Sequence, residues 1–419
     1  MNPERLVAGL DIGSAKTTAI IAETTGELPK HPAIKLLGVG QARTTGMRRG
    51  VVSDIEETTR SIRQALQDAE RMAGTQVTEL YAGIAGEHVQ AMTSKGIVAV
   101  SGDEINKNDI DRANEVARAQ AIPQDRELLH AIPQEYTVDR NTGIRDPIGM
   151  IGTRLETEMY LVTIGSSPAL NLRKSVERAG YRVRELVLEP LASALAVLTE
   201  DEKELGVALV EMGAGTTDLA LFHEGKIRHL GTIAFGGNNV TSDIVHGLGV
   251  TQADAERLKE RFGCAYEPLV DPSDVIQLPS TVAQGDRQIP RELLAHIIHQ
   301  RMDEIFDLVQ RDIASAGYAG KLSAGVVLTG GAAAMQGVAE LASDVFGTGV
   351  RVGLPAENIG GLSDSVEAPR FATAVGLAQY AAHRVALGAA GAGVRRLTAG
   401  GGGVGKFAER LKFWLQDFF

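Results

Sequence analysis

The sequence predicts an α/β protein made of two half-chains, each opening on a glycine-rich β-hairpin, and three observations carry that expectation. Leu10-Asp11-Ile12-Gly13-Ser14-Ala15-Lys16-Thr17-Thr18 is repeated in design about 200 residues later as Val210-Glu211-Met212-Gly213-Ala214-Gly215-Thr216-Thr217-Asp218. Each copy is an apolar run ending in a carboxylate, then glycine and small hydroxyl residues, then a second apolar run, which is the pattern of a β-hairpin. Helical and strand periodicities are mixed through both halves. A third apolar run, Val326-Val327-Leu328-Thr329, ends in Gly330-Gly331.

The elements follow in order. Leu6 to Leu10 and Ala19 to Ala22 are strand-like; Ile55 to Ala73 has helical spacing, with Ile55, Ile62, Leu66 and Ala69 on one side. A new segment begins near Leu80 with Tyr81-Ala82-Gly83-Ile84-Ala85-Gly86. It runs through an acidic helix start at Asp109-Ile110-Asp111-Arg112 to the turn Asp146-Pro147-Ile148-Gly149. A strand at Met159 to Ile164 and a helix at Ala169 to Ala179 precede the second hairpin, Gly206 to Phe222. Leu293 to Ile313 is a long amphipathic helix. From Gly388 to Gly405 the chain turns Gly/Ala-rich, the composition of a flexible linker.

Composition narrows the class. At 419 residues there is length for two or more cores, and 23% charged with 44% hydrophobic residues describes a soluble globular protein. A formal charge of −11 argues against general nucleic-acid binding, which needs clustered Lys and Arg. Cys264 stands alone, so no internal disulfide can form, and a buried small hydrophobe is its expected role. No signal peptide is evident, and no apolar run approaches the roughly 20 residues of a membrane span.

The hairpin tips carry the chemistry. Gly13, Ser14, Ala15, Lys16 and Thr17, and opposite them Gly213, Ala214, Gly215, Thr216 and Thr217, offer backbone N–H groups and hydroxyls without bulk that would keep an anion away. Face to face, two such tips clamp a polyphosphate. Asp11 and Glu211 would hold its Mg²⁺ through water, with Lys16 adding a point charge and Asp218 a further carboxylate. Gly330-Gly331-Ala332 would let a flat base approach the backbone; a bulky residue at Gly330 should then block binding. Glu256 and Lys259 share a helical face, either as a surface ion pair or as a clamp on ribose and adenine.

The last fourteen residues differ again. Phe407, Ala408, Leu411, Trp414, Leu415, Phe418 and Phe419 fall within an arc of roughly 140° on a helix. Five of the chain's 18 aromatic residues lie here, including its one Trp. Fourteen residues at about 1.5 Å each are too short to span a bilayer, so the expectation is a helix lying flat on a membrane, with a protein groove or the body of the molecule as alternative seats.

In this order, hairpin, hairpin and strand-Gly-Gly, the chain resembles the actin/Hsp70 ATPase superfamily, and within it the FtsA cell-division family. Glu127-Leu128-Leu129-His130-Ala131-Ile132-Pro133-Gln134-Glu135-Tyr136, Glu189-Pro190-Leu191-Ala192-Ser193-Ala194, Asp201-Glu202-Lys203-Glu204-Leu205-Gly206-Val207 and Gly236-Gly237-Asn238-Asn239-Val240-Thr241-Ser242-Asp243-Ile244 carry the resemblance, together with the terminal helix. It implies an actin-like two-lobe fold around an ATP cleft. The first lobe would be residues 1–84 and 165–205, with an inserted subdomain at 85–164. The second would be 206–234 and 325–386, with a small subdomain at 235–324, then a linker at 387–405 and the amphipathic helix at 406–419.

The resemblance further implies an ATP- and Mg²⁺-binding adaptor, with Gly237 among its nucleotide contacts. It would form filaments, tether the tubulin-like division protein FtsZ to the inner face of the cytoplasmic membrane and contact later division proteins. The FtsZ tail peptide would dock on the small subdomain, where Arg291, Arg301 and Arg311 lie near an apolar stripe and suit an acidic peptide. The chain departs from the family pattern at Glu211, where Asp is usual, and at Ala214, where Gly is usual. Ala214 requires a negative φ, and Glu211 should slow hydrolysis. The rival readings are a sugar-kinase-like or Hsp70-like ATPase, or a pilus or shape scaffold of the same superfamily.

Overall fold

The computed structural model describes residues 5–25, 33–278, 287–355 and 359–397. The first lobe opens with β1 (Leu6–Ile12) and β2 (Lys16–Thr25), paired antiparallel, followed by β3 (Ala33–Arg43). Helix α1 (Ile55–Ala73) starts where the Asp54 side chain accepts the Glu57 N–H and stops at Gly74, whose φ of 64° suits glycine. Its buried stripe of Ile62, Ala65, Leu66 and Ala69 lies so close on β3 that a Cβ at Gly40 would come within 2.0 Å of the Ala65 carbonyl oxygen.

After β4 (Glu79–Ile84) the chain leaves the sheet and builds a second, antiparallel one. This consists of β5 (Gln90–Ala99), α2 (Lys107–Arg118), β6 (Arg126–Val138), β7 (Asn141–Ile144) and β8 (Arg154–Gly165), in the order β5-β8-β6-β7 with α2 packed against it. Helix α3 (Ser166–Ala179) and β9 (Arg182–Leu188) then complete the first-lobe sheet beside β4. Two short helices follow, α4 (Glu189–Val197) and α5 (Glu200–Leu205).

The second lobe repeats the arrangement. β10 (Val207–Met212) pairs antiparallel with β11 (Thr217–His223), which pairs with β12 (Lys226–Ile233). Then come α6 (Gly237–Leu248), α7 (Gln252–Phe262) and α8 (Arg291–Ser315), the last running two residues beyond the expected Leu293 to Ile313 at each end. β13 (Val326–Thr329) and β14 (Val350–Val352), separated by α9 (Val338–Phe346), close the five-stranded sheet β12-β11-β10-β13-β14. In each lobe the first hairpin strand has its hairpin partner on one side and a parallel strand on the other: β4 beside β1, β13 beside β10. β15 (Ile359–Gly361) returns to the six-stranded first-lobe sheet, β9-β4-β1-β2-β3-β15.

Helix α10 (Ala372–Leu397) lies with α4 between the two sheets. That core joins Val7 and Ile20 of the first lobe to Leu209 and Phe222 of the second. Small residues make it possible: a Cβ on Gly376 would fall 1.8 Å from the Ala192 carbonyl oxygen. α10 stays helical to Leu397, so part of the expected linker at 387–405 is helix. Ala389, Ala390 and Ala392 are good helix formers that continue a helix already nucleated from Ala372, and each glycine among them costs only about 1 kcal/mol. The segment 398–405 and the amphipathic helix expected at 406–419, with Phe407, Leu411, Trp414, Leu415, Phe418 and Phe419, lie outside the described residues.

Candidate functional site

The two hairpin tips are built alike and meet. Gly13 N–H donates to the Lys16 carbonyl at 3.0 Å and Gly213 N–H to the Thr216 carbonyl at 2.9 Å. Asp11 stands opposite Thr18, and Glu211 opposite Asp218. A Cβ on Gly215 would lie 2.6 Å from Ser14 Oγ and 3.2 Å from the Arg49 Cα, so the tips face each other across the lobes and a side chain there would crowd the first tip. Ala214 keeps the negative φ that a side chain needs.

Between and beside the tips runs a cleft of about 720 Å³, within the range of ligand sites. Asp11, Gly13, Ser14, Ala15 and Lys16 line it from the first lobe; Glu211, Gly213, Ala214, Gly215 and Thr216 line it from the second. Gly237, Glu256 and Lys259 form another wall, and Gly330, Gly331 and Ala332 the far end. Thr17 and Thr217 do not join them. Both are fully buried, with Thr17 Oγ1 bonded to Thr44 and Ser61 hydroxyls and Thr217 Oγ1 donating to the Phe235 carbonyl. Strand side chains alternate between faces, so Thr18 and Asp218, one residue on, reach the cleft instead.

Four carboxylates meet at the cleft floor. Burial and the nearby Glu211 push Asp11 up to about 8. Burial raises Glu211 to about 7, against the lowering effect of its hydrogen bonds, and Asp218 to about 6. Glu189 is pushed well above the usual carboxylate range by burial and by Asp11, Glu211 and Asp218. Asp218 accepts from the Thr216 and Thr232 hydroxyls, at 2.9 and 2.6 Å. Glu211 does not point freely into the cleft: one oxygen accepts from Ser193 Oγ at 2.6 Å and the other from Thr373 Oγ1.

Sequence reasoning missed Glu189 as a site residue. It follows Leu188, the last residue of a parallel strand, and opens a helix with Pro at its second position; ligands gather at such carboxyl ends of strands.

Lys259 Nζ donates to Glu256 and to Thr241 Oγ1, both at 2.8 Å, and to the Gly237 carbonyl at 3.1 Å. The pair is therefore an ion pair set into the cleft wall, tying α7 to α6. The first N–H groups of α6 are already used: Gly237 donates to the Gly213 carbonyl and Asn238 to that of Ala214, which seats the helix on the second tip.

At the far end Gly330 and Gly331 play different parts. Gly330 has φ 86°, and a Cβ there would strike the Met212 backbone at 2.6 Å. A Cβ on Gly331 would meet nothing within 4 Å, so Gly331 is the residue whose missing side chain leaves the cleft open. A bulky Gly330 would thus disturb the fold, where the sequence reading expected a block of the cleft.

Two of the three arginines expected to meet a partner are engaged inside the chain. Arg291 donates to the Phe262 carbonyl, to Asp274 and to Gln336 at the cleft rim. Arg301 forks onto both oxygens of Asp243 on α6, at 2.6 and 3.1 Å. Arg311, with 73% of its side chain exposed, remains on the surface.

Two lobes with paired hairpins, helices crossing between them and a cleft at the tips define an actin-like protein. The solved structures agree: the PilM-PilN type IV pilus biogenesis complex matches with TM-score 0.62 and 17% identity over 90% of this chain and 98% of that one. MreB5 of Spiroplasma citri bound to ADP matches with TM-score 0.54 and 16% identity, over 89% and 95%. At such identities only the fold is shared.

Sequence makes the assignment finer. Residues 208–376 match the family "Cell division protein FtsA", and residues 86–163 match the SHS2 domain inserted in FtsA. The chain is 40% identical to the cell division protein FtsA of Pseudomonas aeruginosa, covering 99% of this chain and 98% of that protein. It is 37% identical to that of Escherichia coli K12 over the same shares. The chain belongs to the FtsA family of cell division proteins.

Proposed function

We propose that this chain binds Mg-ATP in the interlobe cleft and uses it as a conformational ligand favouring a closed, filament-forming state. One observation carries the reading: two hairpin tips closed by the same backbone hydrogen bond, about 200 residues apart in sequence, meet with Ser14 against Gly215. Their backbones would hold the phosphates, Lys16 would add charge, and the base would lie against Gly331 beside the Glu256–Lys259 wall. The carboxylates fit a divalent cation, because four of them share the floor and among the described residues none is ion-paired there. Among those residues, no three His, Cys, Asp or Glu side chains form a direct ligand set. Asp11 and Glu189 would therefore hold Mg²⁺ through its waters, where it would neutralise phosphate charge. Titration calorimetry with Mg-ATP tests this, and an absence of binding overturns it.

Family membership supports the wider role: an adaptor that docks the FtsZ tail peptide on the 235–324 subdomain, polymerises and holds the division ring at the inner membrane face, where later division proteins join. The relatives are named for cell division, and MreB and MamK, the latter as a double helical filament, share the fold. Among the described residues no helix is long and apolar enough to cross a membrane. The anchor is assigned to 406–419, where burial of three Phe, Trp414 and two Leu contributes several kcal/mol at about 25 cal/mol per Å². Pelleting with anionic liposomes, with and without residues 406–419, tests that anchor.

A further inference from the structure

We propose that Ser193 and Thr373 are positioning residues for Glu211, and that the three form a clasp across the hinge that sets how readily the cleft opens. Glu211 is the last residue but one of β10 in the second lobe, two residues before the Gly213 tip that meets Ser14. Ser193 lies on α4 and Thr373 in the first turn of α10, the two helices packed between the lobes. α10 rests on the first-lobe sheet, where a Cβ at Gly9 would come 2.9 Å from the Ala374 carbonyl oxygen. The carboxylate therefore ties the second hairpin to the two helices between the lobes, α10 resting on the first-lobe sheet and α4 touching both sheets.

The hydrogen-bond inventory makes the clasp directional. Each hydroxyl has one proton. Ser193 Oγ stands 2.6 Å from Glu211, against 3.0 Å from the Glu189 carbonyl and 3.1 Å from Thr373 Oγ1, so its proton goes to Glu211. Thr373 donates to the other carboxylate oxygen. All three side chains are buried, where hydrogen bonds to a carboxylate are strongest and their loss costs most. The length of Glu is what spans the gap: one methylene fewer would withdraw the oxygens by roughly 1.5 Å from a pair of hydroxyls held on rigid helices. Opening the lobes has to pull Glu211 off both.

The proposal rests on the contacts of Glu211 with the two interlobe helices, and its test has one readout that needs no nucleotide. Spin labels go on full-length protein at Arg60→Cys of α1 and Arg257→Cys of α7, both more than 70% exposed; Cys264 is buried and does not compete. Pulsed electron resonance on nucleotide-free protein should give one narrow interlobe distance in the parent. Ser193→Ala and Thr373→Val should each broaden and lengthen it. Stopped-flow release of a fluorescent ATP analogue should become at least about tenfold faster in each, and combining them with Glu211→Asp should add little, because all break one unit. Thr373→Ser, which keeps the hydroxyl, should restore parental behaviour; if Thr373→Val does not fold, Ser193→Ala and this variant carry the test. Folded variants with the parental distance distribution overturn the clasp. A parent that binds no Mg-ATP overturns the nucleotide reading, and the distance measurement still decides the clasp.

Discussion

Gly331→Leu isolates the base-binding end of the cleft, because the structure assigns neighbouring glycines opposite roles. At Gly331 a side chain enters open space, so the fold should tolerate it within about 0.5 kcal/mol. In the cleft it would occupy the surface assigned to the base. Denying contact over roughly 100 Å² costs about 2.5 kcal/mol at about 25 cal/mol per Å², equivalent to about 70-fold in Kd, with steric overlap adding to it. Gly330→Ala should do the reverse. At φ 86° and ψ 173° the backbone lies in a region essentially confined to glycine, which costs an L-residue about 1–3 kcal/mol, and its Cβ would also press on the Met212 backbone, so unfolding should come at least about 2 kcal/mol sooner. Titration calorimetry with Mg-ATP and thermal unfolding, run on both variants, separate the two effects. Unchanged affinity in Gly331→Leu would refute the placement of the base, and an unaltered melting temperature in Gly330→Ala would refute the packing argument.

Three more predictions follow from the site and its surroundings. Asp11, Glu211 and Asp218 hold protons up to about 8, 7 and 6, whereas the unfolded chain releases them near 4. The folded state thus binds more protons between those limits, and the stability this contributes is complete below about pH 4 and is lost as pH rises through 6 to 8. Nucleotide-free protein should melt lower at pH 8.5 than at pH 6, and Mg²⁺ should narrow the difference; a flat or rising profile contradicts the buried carboxylate floor. For Arg301 and Asp243, a double-mutant cycle should give a coupling of about 1 kcal/mol in stability, and zero coupling would remove the bidentate pair. Charge reversal at the exposed Arg311 is therefore the cleaner probe of acidic-peptide docking. In the tail, Trp414→Glu should release the protein from anionic liposomes, while Lys412→Gln should weaken binding only modestly. Three basic against two acidic side chains leave a net charge of +1, so apolar burial dominates. Parental pelleting of Trp414→Glu would assign the 406–419 segment to a protein groove.

Much of this molecule is legible along the chain. The two hairpins, the Val326–Thr329 strand with its glycines and helix α1 are local: their patterns of apolar residues, caps and turn glycines act within a few residues, so periodicity alone locates them. Family membership is equally a property of the sequence, since the fold is shared with a pilus biogenesis complex and with MreB5 at 17% identity or less. What tertiary structure alone decided is where side chains end up once distant segments meet. Thr17 and Thr217 turn away from the cleft because strand alternation sends them there. Arg301 is claimed by Asp243 from another helix. Gly330 answers to the backbone of Met212, more than a hundred residues earlier. Glu211 is the clearest case. Its local motif marks it as a partner for Mg²⁺, yet Ser193 and Thr373, 18 and 162 positions away, take both of its oxygens. Local patterns specify which backbone forms, whereas a buried polar atom must find its partner wherever packing places one, and that partner is written nowhere near it in the sequence.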